Sequence, residues 1–421
     1  MAARPYFVTW SAQEGAVELA LERAEGQTLF LQGGHAVLDL VSTSFHTNFG
    51  HSFAPILEAL RQQLGGVCTS IAKASTPQRS AAARGLVDAV GHPGRILFTL
   101  GGAESVENAL KLARSLTGRA RVLSRCKSYH GATLGALGVT GDWRRNGQVL
   151  PEGFGGFFPD PASDPEGDGL AACVAAHGPD RIAALCIETV SGANGVHGAP
   201  VGWWRRARSL CDATGALLIL DEVLCGFGRT GPCFAFQDAA LAAAIVEPDF
   251  VCMAKALTGG YAPLGALWVS ERHARHYDAE VLSAGLTHYA HPLGLAAAEV
   301  VLDVLAQPAF QSEKRALEAC FSTLVGGLAT HPAVAGVRHA GLLAALDLRV
   351  PAPPWEHFIE AGIHLVVKPD MLILAPAFTT TQAELARGVS LLSILLDAQM
   401  ASAEAPWPGT LEAVTAEAGT P

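Results

Sequence analysis

The sequence predicts an α/β fold built around a parallel sheet, and three features support this prediction. Residues 217–220 and 250–254 are continuous apolar runs, which is typical of strands buried on both faces of a parallel sheet. Residues 96–100 form a third strand-like run, which leads through a glycine pair into an amphipathic helical pattern over 104–114. These segments indicate a buried sheet with helices packed against it.

The other elements are predicted from the same two patterns. Short apolar runs bounded by turn residues predict strands, and longer runs with helical spacing predict helices. The predicted strands span residues 28–31, 36–41, 121–123, 183–187, 264–269, 344–348, 362–367 and 371–375. The predicted helical stretches cover 52–90, a segment that starts near residue 295, and a closing segment over 381–400. Residues 142–168 show no periodicity, so we expect a long loop there.

Composition limits the classes of protein to which the chain can belong. At 421 residues it is long enough for two domains, and 50% of the residues are hydrophobic, so a large core is available. The net charge of −10 argues against binding to nucleic acid or to anionic membranes. No run reaches the roughly 18 apolar residues that a membrane-spanning helix needs. The N-terminus lacks the apolar centre of a signal peptide.

The cysteines and histidines argue against disulfides and metal sites. Nine cysteines are scattered without CxxC spacing, which is typical of free thiols in a reducing compartment. The 15 histidines include no HExxH or other tight metal-binding spacing, so we expect no metal. Together with the absence of a signal peptide, these features predict a soluble cytoplasmic enzyme.

Two of the predicted strands end at residues that can carry chemistry. The strand at 217–220 ends at Asp221, and the strand at 250–254 ends at Lys255. Ligands of open α/β sheets bind outside the carboxyl ends of the strands, although a lone acid there is more often a solvated loop residue. A lysine at the tip of a buried strand loses hydration, which lowers its pKa and makes it a candidate Schiff-base nucleophile. An acid and a lysine so placed suit pyridoxal phosphate.

The two segments also resemble a known family. LLILDEVLCGFGRTG at 217–231 and PDFVCMAKALTGG at 248–260 resemble the class III aminotransferases, which are pyridoxal-phosphate enzymes of fold type I. Further matches extend over residues 10–376. The resemblance implies a large domain with a mixed, mostly parallel sheet of the seven-stranded type, and a smaller α+β domain built from both termini. It also implies a homodimer, or a dimer of dimers, with the site at the subunit interface.

The resemblance assigns expected roles around the cofactor ring. Lys255 would form the Schiff base and Asp221 would hold the ring nitrogen. Tyr129, in a segment similar to the family's YHG.T loop, would stack on one face of the ring, and Val223 would pack on the other. Glu188, at the end of the strand over 183–187, would lie near the edge of the ring.

The turn that opens the helical pattern after residue 100 is the expected phosphate site. A glycine-rich turn at a helix N-terminus offers backbone N–H groups and the positive end of the helix dipole. The family usually has two serines in this turn, and both hydroxyls are missing here. We therefore expect the backbone amides of Gly102 and Ala103 to bind the phosphate. Thr287 matches the family threonine that crosses the dimer interface to the partner's cofactor phosphate, whereas His130 is expected to be structural.

The resemblance also suggests a division into domains. Residues 1–50 are expected to form the N-terminal part of the small domain, and 51–295 the large cofactor-binding domain. Residues 296–402 are expected to complete the small domain. Residues 403–421 are rich in Pro, Ala and Glu, which predicts a frayed tail.

The residues expected around the substrate are unusually apolar. Many class III enzymes that use glutamate carry an arginine paired with a glutamate, and here Ile373 and Ala193 occupy those two positions. The joint loss is physically coherent because a lone buried charge would be costly. Leu224 replaces a common glutamine, and Phe45 matches an aromatic residue of the family's substrate pocket.

The choice of acceptor follows from this apolar character. Segments TWSAQ and GDWRR resemble the ω-amine:pyruvate subgroup, but Val366 replaces that subgroup's mobile arginine. Lys368, Arg338 and Arg144 remain as cations for a substrate carboxylate. We expect an aminotransferase that moves an amino group from an ω-amine or amino acid to a small 2-oxo acid, with pyruvate preferred.

Three alternatives stay open at this point. One is a transaminase that uses 2-oxoglutarate. A second is another pyridoxal-phosphate reaction on the same fold, such as decarboxylation, racemisation or an aminomutase shift. A third, a binding protein without activity, is disfavoured because such a protein would be expected to have lost Lys255 or Asp221.

Overall fold

The computed structural model describes residues 4–151, 153–245 and 247–404, and it contains one seven-stranded and two four-stranded sheets. The strands are β1 (Leu21–Glu25), β2 (Thr28–Leu31), β3 (Ala36–Asp39), β4 (Gly94–Thr99), β5 (Arg121–Arg125), β6 (Gly155–Phe158), β7 (Ile182–Glu188), β8 (Leu217–Asp221), β9 (Phe250–Met253), β10 (Gly265–Ser270), β11 (Val334–Ala340), β12 (Leu343–Leu348), β13 (Ile363–His364), β14 (Val366–Lys368) and β15 (Met371–Leu374).

Helices connect and cover these strands. They are α1 (Ser42–Phe45), α2 (Ala54–Leu64), α3 (Pro77–Val90), α4 (Gly102–Thr117), α5 (Leu134–Gly138), α6 (Asp168–His177), α7 (Val201–Thr214), α8 (Ala239–Ile245), α9 (Glu271–Ala274), α10 (Pro292–Ala306), α11 (Pro308–Gly327), α12 (Trp355–Glu360) and α13 (Gln382–Glu404). Short 3₁₀ turns occur at Trp143–Arg145, Pro179–Arg181, Ala235–Gln237, Lys255–Thr258, Arg275–Asp278 and Leu328–Thr330.

The seven-stranded sheet confirms the predicted fold class. Its strand order is β4-β10-β9-β8-β7-β5-β6. β10 runs antiparallel to both of its neighbours, and the pairs from β9 to β6 are all parallel. The strands β7, β8 and β9 are buried along their whole length, as continuous apolar runs predict. The sheet is therefore mixed and mostly parallel.

The register of this sheet brings the chemically capable residues together. Glu188 lies opposite Asp221 in the β7–β8 pair, and Asp221 lies opposite Cys252 in the β8–β9 pair. Lys255 lies two residues after the end of β9. Because parallel strands end at the same edge of a sheet, these three functional side chains gather at one place.

The prediction for residues 142–168 was wrong in one respect. This segment contains β6, which pairs with β5 at the edge of the sheet. The pattern concealed the strand because it is short and begins with two glycines, which are uncommon inside strands.

Both ends of the chain contribute to the smaller sheets. β13, near the C-terminus, pairs with β3, near the N-terminus, and the sheet order is β1-β2-β3-β13. The single strand predicted over 362–367 is divided, because β13 joins this sheet while β14 pairs with β15 in the sheet β11-β12-β15-β14. The predicted domain boundary at 295 falls inside α10. α13 continues to Glu404, and the rest of the predicted tail lies outside the described residues.

Arg229 connects the segments that surround the large sheet. Its side chain is fully buried and donates hydrogen bonds to the carbonyls of Leu342 and Pro376, to Ser42 Oγ and to Asn48 Oδ1, over 2.6–3.0 Å. Burial lowers the pKa of Arg229 to about 9. These four bonds tie the N-terminal and C-terminal segments to the loop that follows Asp221.

Two further features concern helices and metals. In the described part of the chain, no single helix is long and apolar enough to cross a membrane. The bent pair Pro292–Ala306 and Pro308–Thr330, with 77° between the two helices, meets the length and composition test only when taken together. Within the same residues, no group of three or more His, Cys, Asp or Glu side chains is placed to hold a metal ion.

Candidate active site

A cavity of about 420 Å³ lies at the carboxyl edge of the large sheet. Its lining includes Lys255, Asp221, Glu188, Tyr129 and Val223, which come from four separate segments of the chain. The fold therefore brings together the residues that the sequence predicted for a cofactor ring.

Lys255 opens the 3₁₀ turn that follows β9. Its backbone has a positive φ of 45°, which is uncommon for a residue with a side chain and is often found at functional sites. Burial lowers the pKa of its amine, although the nearby carboxylates of Asp221 and Glu188 act in the opposite direction. A lowered pKa increases the fraction of neutral amine, which is the nucleophilic form.

Asp221 is held on both carboxylate oxygens. Oδ1 accepts a hydrogen bond from the backbone N–H of Val223 at 3.0 Å, and Oδ2 lies 2.7 Å from His130 Nδ1. The other ring nitrogen of His130 lies 3.0 Å from Ser124 Oγ. The carboxylate is therefore fixed in direction although it is only 3% exposed.

His130 is a site residue whose functional contact the sequence analysis missed. Burial lowers the pKa of His130, but its interactions with Cys186 and with Asp221 outweigh burial and raise the pKa well above the usual histidine value. The ring therefore supports a negative charge on Asp221. No local pattern could have revealed this contact, because the two residues are 91 positions apart.

Glu188 connects the sheet to the loop that carries Tyr129. Its Oε1 accepts hydrogen bonds from the backbone N–H of Tyr129 at 3.0 Å and from Ser191 Oγ at 3.1 Å. Burial raises the pKa of Glu188. Because Glu188 binds the backbone of Tyr129, it fixes the position from which the tyrosine ring enters the cavity.

The N-terminus of α4 faces the same cavity. The first N–H groups of a helix have no partner inside the helix, so those of Gly102 and Ala103 are available for an anion. Glu104 Oε2 accepts the backbone N–H of Leu100 at 2.7 Å, which closes the turn. A Cβ atom at Gly102 would lie 2.7 Å from Val223 Cγ1, so the close approach of these two segments requires glycine.

Part of the cavity lining is apolar. Leu224 lines the cavity and packs in one cluster with Phe45 and Ile373, and Ala193 and Val366 pack against that cluster. The cavity is lined at this place by His46 rather than by Phe45 itself. Of the positions at which the family's charged or amide substrate contacts were missing, Leu224 and Ala193 line the cavity and Ile373 and Val366 pack behind them with Phe45; together these five residues form the apolar wall.

The three candidate cations differ in their surroundings. Arg338 donates to both oxygens of Asp347 and, at 2.6 Å, to the carbonyl of Gly195, so it is fully engaged. Lys368 Nζ donates to the carbonyl of Ala193 at 2.6 Å, beside the cavity. Arg144 stacks over the ring of Tyr129 at 4.4 Å. Lys368 and Arg144 therefore each contact a residue that lines the cavity.

Thr287 lies apart from these residues. It is exposed on the loop that precedes α10, and the residues lining the cavity do not include it. Within one chain it therefore makes no contribution to the site.

Comparison with known proteins agrees with this geometry. The profile of the family described as "Aminotransferase class-III" matches residues 9–396. The chain belongs to the class III aminotransferases. It is 36% identical over 374 residues to the acetylornithine aminotransferase of Streptomyces coelicolor, a match that covers 86% of this chain and 87% of that protein.

Solved structures of similar enzymes share the fold. The taurine:2-oxoglutarate aminotransferase of Bifidobacterium kashiwanohense, in complex with PLP and glutamate, has a TM-score of 0.85 and 30% identity, covering 93% of this chain and 95% of that one. An (S)-enantioselective omega-transaminase from Thermomicrobium roseum has a TM-score of 0.82 and 30% identity, covering 94% and 96%.

The cofactor of this enzyme family is pyridoxal phosphate, and the cavity fits it. Lys255 presents an amine to the cavity, Asp221 presents a fixed carboxylate, and α4 presents N–H groups at a glycine that packs closely against Val223. These are the three kinds of partner that an aldehyde, a ring nitrogen and a phosphate need.

The sequence analysis missed further lining residues. The segment 258–264 after Lys255 contributes several of them, including Gly260 and Tyr261. Tyr261 donates its hydroxyl hydrogen to the carbonyl of Gly50 at 2.8 Å and accepts the N–H of Phe53 at 2.6 Å. The glycine pair in KALTGG was the available signal, since glycines often mark a close backbone approach to a ligand.

Proposed function

We propose that this enzyme transfers an amino group from an ω-amine or amino acid donor to a small 2-oxo acid, with pyruvate as the preferred acceptor. The observation that carries the proposal is the apolar wall, in which Leu224 and Ala193 line the cavity and Phe45, Ile373 and Val366 pack behind them. A second carboxylate on the substrate would meet this wall and lose its hydration without gaining a partner. Pyruvate has only one carboxylate, and its methyl group suits an apolar surface.

The catalytic roles proposed for Lys255 and Asp221 rest on their positions in the cavity. Bound pyridoxal phosphate supplies the electron sink for the carbanion that transamination requires. The neutral Nζ of Lys255 binds the cofactor and then moves a proton from the donor Cα. The carboxylate of Asp221, oriented by His130, holds a proton on the ring nitrogen. The short distances at Asp221 support this role, since a fixed carboxylate needs no reorganisation during the reaction.

The remaining cofactor contacts are proposed for binding and orientation. The backbone amides of Gly102 and Ala103 bind the phosphate at the N-terminus of α4. Tyr129 and Val223 both line the cavity and would pack on opposite faces of the ring. Glu188 fixes the Tyr129 loop through the 3.0 Å hydrogen bond to its backbone.

We also infer that the enzyme is a homodimer, or a dimer of dimers, with Thr287 reaching the partner's cofactor phosphate. Support comes from exposed apolar residues near this loop and elsewhere, among them Val281, which is 84% exposed, and Ile71, which is 73% exposed. Sedimentation of a stable monomer in the cofactor-loaded enzyme would rule out this assembly.

All nine cysteines are free, which supports a reducing compartment such as the cytoplasm.

The experiment that tests the acceptor separates the two half-reactions. The enzyme is loaded with pyridoxamine phosphate and mixed with pyruvate or 2-oxoglutarate, and the return of cofactor absorbance is followed by stopped flow. A charge-assisted clamp contributes a few kcal/mol, so its absence should make 2-oxoglutarate roughly a hundredfold slower. Faster return with 2-oxoglutarate would overturn the choice of acceptor.

2-Oxoglutarate remains the second candidate because of Lys368. Its amine is fixed beside the cavity by the carbonyl of Ala193 at 2.6 Å. A longer diacid that passes the apolar wall could place its distal carboxylate there. The Lys368→Met variant separates the candidates, because it should reduce 2-oxoglutarate use selectively only if this contact is made.

A further inference from the structure

The guanidinium of Arg144 lies among aromatic rings, one of which belongs to the cavity lining. Its central carbon is 4.4 Å from the ring centroid of Tyr129, 5.2 Å from that of Trp143 and 5.6 Å from that of Trp10. Tyr129 lines the cavity, so the cation borders the space that a substrate would enter. Such ring contacts hold an arginine in place without using its hydrogen-bond donors.

Only one edge of this guanidinium is engaged. One Nη donates to Asp142 Oδ2, whose carboxylate also accepts the Arg144 backbone N–H at 2.9 Å and the side-chain amide of Asn194 at 3.2 Å. Nε and the second Nη of Arg144 make no hydrogen bond to any residue in 4–151, 153–245 or 247–404. Two parallel donors are therefore free, which is the arrangement that a carboxylate accepts in bidentate fashion.

Lys368 adds a second positive charge to this rim. Its amine is partly buried and donates to the carbonyl of Ala193 at 2.6 Å and to Asn194 Oδ1 at 3.5 Å. Burial lowers the pKa of Lys368, and the nearby charge of Arg144 lowers it further. Three acids, Asp142, Asp370 and Glu188, also act on Lys368, so the preference for a carboxylate rests on the unpaired donors of Arg144 and not on a net positive charge.

We propose that the free edge of Arg144 binds the carboxylate of the 2-oxo acid acceptor, an inference that rests on the proposed function. The other two cations are less suited, because Arg338 is engaged by Asp347 and by the carbonyl of Gly195, and Lys368 is directed at backbone oxygen. The ligand class is a short 2-oxo acid with one carboxylate. Arg144 acts here as a specificity-determining residue, and Asp142 positions it.

The test uses the Arg144→Met variant of the cofactor-loaded enzyme and follows each half-reaction by stopped flow. With pyruvate, the second-order rate constant should fall roughly tenfold to a hundredfold, as expected for loss of a charge-assisted contact. With 1-phenylethylamine, a donor without a carboxylate, the rate should stay within about twofold. Arg144→Lys should recover part of the pyruvate rate, because it keeps the charge but loses the bidentate geometry.

A matched control lies in the neighbouring residue. Arg145→Met removes the same charge from the same 3₁₀ turn, but Arg145 stacks 4.5 Å from the ring centroid of Phe157, which does not line the cavity, whereas Arg144 stacks on the cavity residue Tyr129. Both half-reactions of this variant should match the parent enzyme. Comparable melting temperatures for the two methionine variants would show that a change in folding does not explain the difference.

A binding measurement gives a readout that does not depend on turnover. Propionate, a monocarboxylate without a carbonyl, is titrated into each cofactor-loaded protein by calorimetry, and Arg144→Met should weaken its binding at least about tenfold.

Unchanged propionate affinity and an unchanged pyruvate rate would overturn the role of Arg144. Equal slowing of both half-reactions would also overturn it, since Arg144 would then act through Tyr129. If the parent enzyme transaminated neither substrate, the proposed function would fail, and the propionate titration would still decide whether Arg144 binds carboxylates.

Discussion

The floor and the wall of the cavity are built from different kinds of contact. On the floor, Asp221, Glu188 and His130 are each only 3% exposed, and every one of them is hydrogen-bonded. In the wall, Leu224 and Ile373 are equally buried but interact only through apolar packing. Buried polar groups tolerate little change because each lost partner carries a desolvation cost, whereas apolar packing tolerates exchanges of similar volume.

This difference suggests that catalysis and substrate selection depend on separate parts of the cavity. The fixed carboxylates and the histidine of the floor suit the part of the reaction that every substrate shares, because charge has to be stabilised there each time. Under the proposed function, the apolar wall selects which substrate side chains fit beside the reacting centre. Changes in the floor should therefore affect all substrates equally, and changes in the wall should affect the ratio between substrates.

The largest effect is expected at Lys255. Lys255→Ala removes the amine at the tip of β9, so turnover with every substrate pair should fall to background while the protein stays folded. Borohydride reduction and peptide mapping should find the cofactor attached to the Lys255 peptide in the parent protein only. Measurable activity of the purified alanine variant, beyond about one part in ten thousand, would contradict this role.

The next largest effect is expected at Asp221. Asp221→Asn keeps the shape and the hydrogen bond to Val223 but loses the negative charge, so it should still bind cofactor while rates fall roughly a thousandfold, which corresponds to about 4 kcal/mol. Stopped-flow half-reactions with donor and with pyruvate should slow by the same factor. Parent-like rates in both half-reactions would show that the charge is not required.

The two regions were predictable from the sequence to different extents. Residues 183–187, 217–220 and 250–254 predicted β7, β8 and β9 well, because strands buried on both faces have continuous apolar sequences. The acid at the end of β8 and the lysine just beyond β9 could then be placed at one edge of the sheet. The fold class and the cavity floor were accordingly predictable.

The rest depended on contacts between distant residues. The His130–Asp221 pair and the division of 362–367 between two sheets involve partners far away in the chain, which no local pattern encodes. The position of Phe45 behind the cavity is a consequence of its packing with Leu224 and not of its own residue type. The role of Thr287 requires a second chain and stays a prediction.

The wall offers a third prediction, which converts apolar packing into an ion pair. Ile373 is fully buried and lies opposite Val366 across the β14–β15 pair, so Ile373→Arg alone should lower the free energy of unfolding by about 3–5 kcal/mol. Adding Ala193→Glu should recover at least about 1 kcal/mol of this loss, measured as the coupling in a urea-unfolding double-mutant cycle. The same double variant should raise the 2-oxoglutarate to pyruvate rate ratio about tenfold. Purely additive stability losses with an unchanged ratio would show that the two positions cannot pair.

The smallest effect is expected at His130, which acts through Asp221. His130→Asn removes the partner of Asp221 Oδ2, so kcat should fall about tenfold for all substrates while KM for pyruvate stays constant.

The pKa of His130 is raised above its usual value despite burial, because Cys186 and Asp221 favour the charged ring. The support to Asp221 is therefore fully present at low pH and is lost as pH rises through that raised pKa. The parent enzyme should show an alkaline decline in kcat that the asparagine variant lacks. A change in the pyruvate to 2-oxoglutarate ratio in this variant would contradict the separation between floor and wall, because a floor residue should not select substrates.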